Sequence, residues 1–367
     1  MNKPLTLICL LCLTLIFTLL GGCKPAGSTP AGQTPLVVFC AGSLITPFEA
    51  LEKAFESQNP DIDVQNEFHG SIQVIRHVTE LHEQIDVVAT ADTALIPMLM
   101  YAVNNPDDGQ PYANWYIRFA GNRLGIAYTP ASAYADEITA DNWTEILARP
   151  DVRVGIADPR FDAAGYRALM AYSLAQKLYD QPTLFFDQFA GQFRYPINLM
   201  PAADGSTIIR VPEVLENRTD AHVIIRGASI QLIALLESGE LDYAFEYETV
   251  ILQHQLNLLA LPDELNLGNP DHATDYAQAT IQLDFQRFSS VDPVFQGAPI
   301  SYGITIPTNA PHNTAAVRYL AFLLSPEGRA VMMAAQHPLF EAPTANNYDN
   351  LPAALQRLVT AEPAPTP

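Results

Sequence analysis

Residues 36–40 (LVVFC) form an unbroken apolar run of strand length, and Phe48, Leu51 and Phe55 then recur at the spacing of one helix face. Between them Thr46-Pro47-Phe48-Glu49 reads as a helix start, with Thr at the N-cap, Pro at the first helical position and Glu closing a capping box. Residues 62–66 read as a second strand. A helix then opens at Gly70-Ser71, with Ile72, Ile75, Val78 and Leu81 along one stripe. Residues 86–90 (DVVAT) make a third, buried strand that ends in Ala91-Asp92. This β-α-β-α rhythm predicts a mostly parallel sheet with helices on both faces.

Two later segments have the character of crossings between domains. Residues 123–128 (RLGIAY) lead into a second α/β region running from about 131 to about 296, with a strand at 152–156 and a helix at 165–178. Residues 302–306 (YGITI) return the chain to the first region, and 313–324 and 326–335 supply closing helices. With 367 residues, 49% of them hydrophobic, the chain is long enough for two domains that each bury a core. The expected division is 36–122 plus 301–355 for domain I and 123–300 for domain II, with a disordered tail over 356–367. No repeat of solenoid period is evident.

The N-terminus bears on compartment. Lys3 precedes an apolar run over 5–20 that closes in Leu20-Gly21-Gly22-Cys23. The run is short for a membrane span and has the charge layout of a signal peptide. Its ending resembles a lipobox, which implies a signal over 1–22, cleavage before Cys23 and a lipid on that thiol. Residues 23–35 then form a flexible tether of Pro, Gly, Ser and Thr. The chain is thus expected to be exported and held by lipid at the outer face of the cell membrane or in the periplasm. Cys9 and Cys12 would leave with the signal, and Cys40 is most simply a buried strand residue. The cysteine spacing suggests neither a disulfide framework nor a zinc site.

Charge narrows the partners. Forty Asp and Glu against nineteen Lys and Arg give a formal charge of -21, a surface that repels nucleic acid and anionic headgroups. It also repels a dissolved oxyanion at long range. Any anion site must therefore be local, built from backbone N–H groups and helix N-termini. Four loops at the carboxyl ends of expected strands offer such places: Ala41-Gly42-Ser43-Leu44, His69-Gly70-Ser71, residues 158–166 and Arg226-Gly227-Ala228-Ser229. Taken singly, Ser43, Ser71, Asp162 and Ser229 read as ordinary N-cap residues. Only the set of four, two from each region, points to a ligand.

The segments FCAGSLITPFEALEKAFE, HGSIQVIRHVTEL, DVVATADTALIPMLMY, GYRALMAYSLA, LLESGELDYAFEYETVILQHQL and YGITIPTNA resemble the tungstate/molybdate-binding proteins of the WtpA/ModA class. The likeness implies a type II periplasmic-binding fold: two α/β domains joined by two crossings, with the ligand in the cleft. It implies a monomeric carrier that delivers tungstate or molybdate to an ABC permease and its ATPase, without a cofactor. Position by position, Gly42, Ser43 and Ser71 match anion-contacting loops, and Tyr247 matches a ligand-contacting tyrosine. Asp162 matches a carboxylate placed on the metal of the oxyanion, and Ala163 and Ala164 match the two residues after it. Ser229 stands where the family has a second ligating glutamate. Gln231, Glu246 and Glu248 are the nearby groups that would fill this gap, and spacing shows none of them pointing inward.

Other chemistry finds less support. His77 and His82 lie five apart, poor helical ligand spacing, and His254 reads as a packing or capping residue. The sequence offers no nucleophile elbow, P-loop or paired-histidine motif, so no enzyme is expected. Glu246 and Glu248 flank Tyr247 with the alternation of a solvated strand. Trp115 and Trp143 read as core anchors. Besides the metal-oxyanion carrier, two readings stay open: a carrier of sulfate, phosphate or a small carboxylate, and a surface module that senses a ligand.

Overall fold

The computed structural model describes residues 32–284 and 293–363. The expected signal, Cys23 and the tether up to residue 31 lie outside the described residues. Strand β1 (Thr34–Ala41) passes through a 3-10 turn at Gly42–Leu44 into helix α1 (Ile45–Gln58). The Ile45 N–H already bonds to the Gly42 carbonyl, so helical bonding begins ahead of the expected Thr46 cap, and no side chain caps the helix. Strand β2 (Ile62–His69) leads to α2 (Ser71–Thr79), which has Gly70 at its N-cap. Ile72, Val74, Ile75 and Val78 are its buried face. Leu81 is not part of the stripe: the helix has ended by then, and Leu81 is 60% exposed. Strand β3 (Val87–Thr90) completes a parallel trio with β1 at its centre.

Strand β4 (Tyr116–Gly121) belongs to this first sheet, and β5 (Leu124–Tyr128) to another, so the chain leaves at Asn122-Arg123. The second region holds β6 (Val154–Ala157), α3 (Ala163–Leu178), β7 (Asn198–Pro201), β8 (Thr207–Val211), β9 (Val223–Arg226) and α4 (Ile230–Glu237). It continues with β10 (Tyr243–Tyr247), α5 (Glu248–Gln253), β11 (Asn257–Ala260), β12 (Ala279–Leu283) and β13 (Val294–Gln296). Its main sheet has the order β11-β5-β10-β6-β9, and a separate four-stranded sheet has the order β13-β12-β8-β7. Helix α3 packs against strands of both, which is why every residue from Ala163 to Ala175 is buried. Trp143 is fully buried, with its ring edge-on to Tyr172 at 5.1 Å.

After β13 the chain returns as β14 (Ser301–Thr305), followed by α6 (Asn313–Leu324), α7 (Pro326–Ala334), β15 (Leu339–Asn346) and β16 (Thr360–Ala361). The seven-stranded sheet therefore reads β16-β15-β4-β14-β3-β1-β2. It is mixed rather than mostly parallel, since β14 is antiparallel to β3 and β4, and β15 to β4. The returning strand enters from the other domain without the crossover helix that parallel neighbours require. The expected disordered tail does not begin at 356. Thr360 and Ala361 pair with β15, and Glu362 accepts a hydrogen bond from Tyr116 Oη at 3.1 Å.

Candidate functional site

The loops after β1, β2, β6 and β9 meet between the two main sheets. The Ile72 N–H, at the start of α2, donates to the Phe161 carbonyl in the β6 loop at 3.0 Å. A β-carbon on Gly42 would lie 3.2 Å from Ile230 Cγ2, and one on Gly70 would overlap the Phe161 carbonyl oxygen. Small residues at these two places are what allow the domains to touch. The molecule is thus in a closed form, with the ends of α2, α3 and α4 converging and lending positive partial charge to an otherwise acidic protein.

Asp162 sits at this junction, 4% exposed. Its Oδ1 accepts from the Ala164 N–H at 2.8 Å, so it is a true cap for α3. Its Oδ2 accepts from the Ser229 N–H at 3.0 Å, tying the β6 loop to the β9 loop. Burial pushes its pKa up, and the two backbone N–H groups and Arg167 oppose that. Ala163 and Ala164, both buried, open α3 directly beside it.

The other expected residues are all buried nearby. Ser43 Oγ and Tyr302 Oη lie 2.8 Å apart, and Asn122 Nδ2 donates to Tyr302 Oη at 3.0 Å. Ser71 Oγ accepts from the Ala91 N–H at 3.0 Å. Neither serine acts as a helix cap. Ser229 holds the N-cap position of α4 without a capping side-chain bond. Tyr247 Oη accepts from Arg167 Nη1 at 2.5 Å, and its ring meets that of Tyr302 edge-on at 6.1 Å.

Sequence reasoning passed over a buried ion cluster that spans the domains. Arg167, from α3, also donates to the Ala91 carbonyl at 2.7 Å and pairs with Asp92 at 3.2 Å. Tyr166 Oη donates to the same Asp92 carboxylate at 2.5 Å. Burial works against the Arg167 cation, but Tyr247, Asp92 and Tyr166 outweigh it and raise its pKa. The signal was a lone Arg within the apolar run GYRALMAYSLA.

Glu246 is a correction to the solvated-strand reading. It lies on a central strand covered on both faces and is fully buried. Its Oε1 accepts from the Tyr247 N–H at 2.7 Å, while Oε2 has no hydrogen-bond partner among the described residues. Burial lifts its pKa to about 8; the Tyr247 N–H opposes the rise, the Asp162 charge adds to it and the Ser229 side chain opposes it. Glu248 is half-buried in the first turn of α5, and Gln231 is exposed, with its side chain accepting from the Ala228 N–H. Among the described residues, no group of three or more His, Cys, Asp or Glu is arranged to hold a metal ion.

Residues 36–335 match the family described as bacterial extracellular solute-binding protein. A solute-binding protein of Petrotoga mobilis, described as uncharacterized, is 38% identical over 321 residues, covering 88% of both chains. The molybdate/tungstate-binding protein WtpA of Thermococcus kodakarensis is 37% identical over 349 residues, 92% of both. Among solved structures, the periplasmic molybdate-binding protein of Azotobacter vinelandii aligns with a TM-score of 0.51 at 14% identity. It covers 83% of this chain and 100% of its own, a likeness of fold alone. With a family match over 36–335, relatives 37–38% identical over most of the chain and a two-domain fold of type II form, the chain belongs to the bacterial extracellular solute-binding proteins.

Proposed function

We propose that the chain captures tungstate or molybdate outside the cytoplasm and delivers it to an ABC permease and its ATPase. The observation that carries this reading is Asp162, a buried carboxylate held by two backbone N–H groups where the four loops meet. The names of relatives about 36–37% identical over nearly the whole chain support the choice of solute. Molybdenum and tungsten expand their coordination beyond four ligands and sulfur does not, so a carboxylate facing the anion favours the metal oxyanions. The hydroxyls of Ser43, Ser71, Tyr247 and Ser229 and the amides of Gly42 and Ala163 would cradle the oxygens, with Ala164 and Ser229 holding Asp162 in place through their own N–H groups.

The two domains act as a clamp: ligand shifts the population towards the closed form by touching both halves at once. Cys23, after the Leu-Gly-Gly ending, would carry the lipid that holds the carrier at the outer face of the membrane or in the periplasm. The carrier would work as a monomer, because delivery needs only one closed clamp at the permease. The test is calorimetry of the chain from Cys23 onward with tungstate, molybdate, sulfate and phosphate. Tight binding of the first two and weak binding of the others is expected. Sulfate bound as tightly as tungstate would remove the role given to Asp162.

A further inference from the structure

Two buried carboxyl side chains come from neighbouring parts of the second domain's main sheet, and the charge of Asp162 adds to the cost of ionising Glu246. Asp162 follows β6, and Glu246 is the penultimate residue of β10, the strand beside it in the sheet. The Asp162 charge acts on Glu246, and Glu246 in turn acts on Tyr302, which belongs to the other domain's sheet. Glu246 is fully buried, its Oε1 accepts from the Tyr247 N–H, and the Tyr247 ring meets that of Tyr302 from the other sheet at 6.1 Å, so Glu246 lies at the cleft end of β10 and not on an outer face. Asp162 has both oxygens satisfied and Arg167 within its field. Glu246 has neither advantage. It is fully buried, and although the Ser229 side chain lies near enough to favour its charge, Oε2 makes no hydrogen bond among the described residues. Buried acceptors are rarely left so, because a group stripped of water and offered nothing costs free energy. An apolar residue there would avoid the cost. What a carboxyl offers in return is an oxygen lone pair held ready inside the closed cleft.

We infer that Glu246 is a second carboxyl of the solute site, touching the bound oxyanion through Oε2 and setting which oxyanion the cleft prefers. This rests on the oxyanion reading above. Burial keeps the Glu246 carboxyl largely protonated in the empty cleft, so it releases that proton to solvent as the oxyanion binds, and the lone pair of Oε2 is then shared with the electrophilic central atom, whose own oxygens stay bonded. Tungsten and molybdenum accept such a donor, and sulfur, already saturated, meets only repulsion from it. The small side chain of Ser229 leaves the space in which Glu246 sits. Gln231 is exposed and Glu248 lies outside the strand, so Glu246 alone of the three nearby groups is placed to act.

The experiment compares the wild type with Glu246→Gln, titrated calorimetrically with sodium tungstate and with sodium sulfate, with the melting temperature of each protein recorded. The variant is expected to lose on the order of ten- to a hundredfold in tungstate affinity, the worth of one charged contact. Its sulfate affinity is expected to stay within about threefold. The double variant Glu246→Gln/Ser229→Glu, which moves the carboxyl across the gap, is expected to recover most of the tungstate preference. Equal losses for both anions, or none, would overturn the inference while leaving the oxyanion reading standing if the wild type still binds tungstate. A wild type that binds neither anion would overturn both. Should Glu246→Gln melt too low to titrate, Glu246→Asp, which keeps the carboxyl but draws it back by one methylene, decides. A loss for tungstate alone supports the contact through Oε2, and an unchanged tungstate-to-sulfate ratio contradicts it.

Discussion

Replacing Gly70 with alanine separates closure of the clamp from folding of either domain. Gly70 has φ -62° and ψ 143°, an ordinary conformation for alanine, so the open form gains no backbone strain. Its unfolded chain loses freedom worth about 0.4–1 kcal/mol, which slightly favours folding. The closed form is different. The added carbon overlaps the Phe161 carbonyl and sits 3.1 Å from Asp162 Cβ. Relief requires the two loops to part, which gives up the 3.0 Å bond from Ile72 to Phe161. That bond is worth about 1 kcal/mol net, and overpacking a buried contact costs about 1–3 more. A penalty of about 2–4 kcal/mol on the closed form alone lowers apparent affinity on the order of 30- to 1,000-fold. Calorimetry with tungstate reads the loss, and a melt of ligand-free protein should show the variant as stable as wild type or slightly more so. Unchanged affinity would refute the idea that closure brings Gly70 against Phe161. A large drop in the ligand-free melting temperature would place the damage in domain I instead.

Asp162→Ala should weaken tungstate binding more than sulfate binding and cost about 1 kcal/mol of stability through the lost cap of α3; equal losses for the two anions would make Asp162 a cap only. Asp92→Asn should weaken all oxyanions together, because closure would then bury Arg167 without its charge partner, a cost of about 3–5 kcal/mol on that form; a change in tungstate-to-sulfate preference would argue against a latch. His337 is fully buried against Tyr302, neither ring nitrogen has a hydrogen-bond partner among the described residues, and burial pushes its pKa down to about 4. The unfolded chain, with a histidine near 6.5, binds the proton more readily. Its share of stability is therefore full above pH 6.5 and lost as pH falls towards 4, by about 3 kcal/mol in all. Denaturation at pH 7 and pH 4.5 should show a steeper fall for wild type than for His337→Phe, and parallel curves would contradict this.

The elements that could be read from sequence are those whose signal is local. The apolar runs at β1, β3 and β14, the Asn313–Leu324 helix and the Asp162 cap declare themselves within a few residues. What stayed hidden depends on distant pairing. Strand β7 is four residues that are half-buried or exposed, and the sheet β13-β12-β8-β7 exists only because β8 and β12, 72 positions apart in sequence, meet over α3. The start of α1 was misplaced because a 3-10 turn contributes a turn of bonding that no side chain signals. Glu246 illustrates the same limit at the candidate site. Alternation in Phe245-Glu246-Tyr247 gives the period of a strand but not whether both faces are covered, and helix α4 covers the face of β10 opposite α3. The Arg167–Asp92 latch joins two domains, so no local pattern announces it.

The central claim, a clamp selective for metal oxyanions, is tested most directly by titrating the wild-type chain from Cys23 onward with tungstate in the presence and absence of excess sulfate. Tungstate should bind with an isotherm that sulfate barely shifts, the preference being on the order of a hundredfold, as one or two charged contacts provide. If sulfate displaces tungstate at equal concentration, or if neither anion binds, the account of this cleft is wrong.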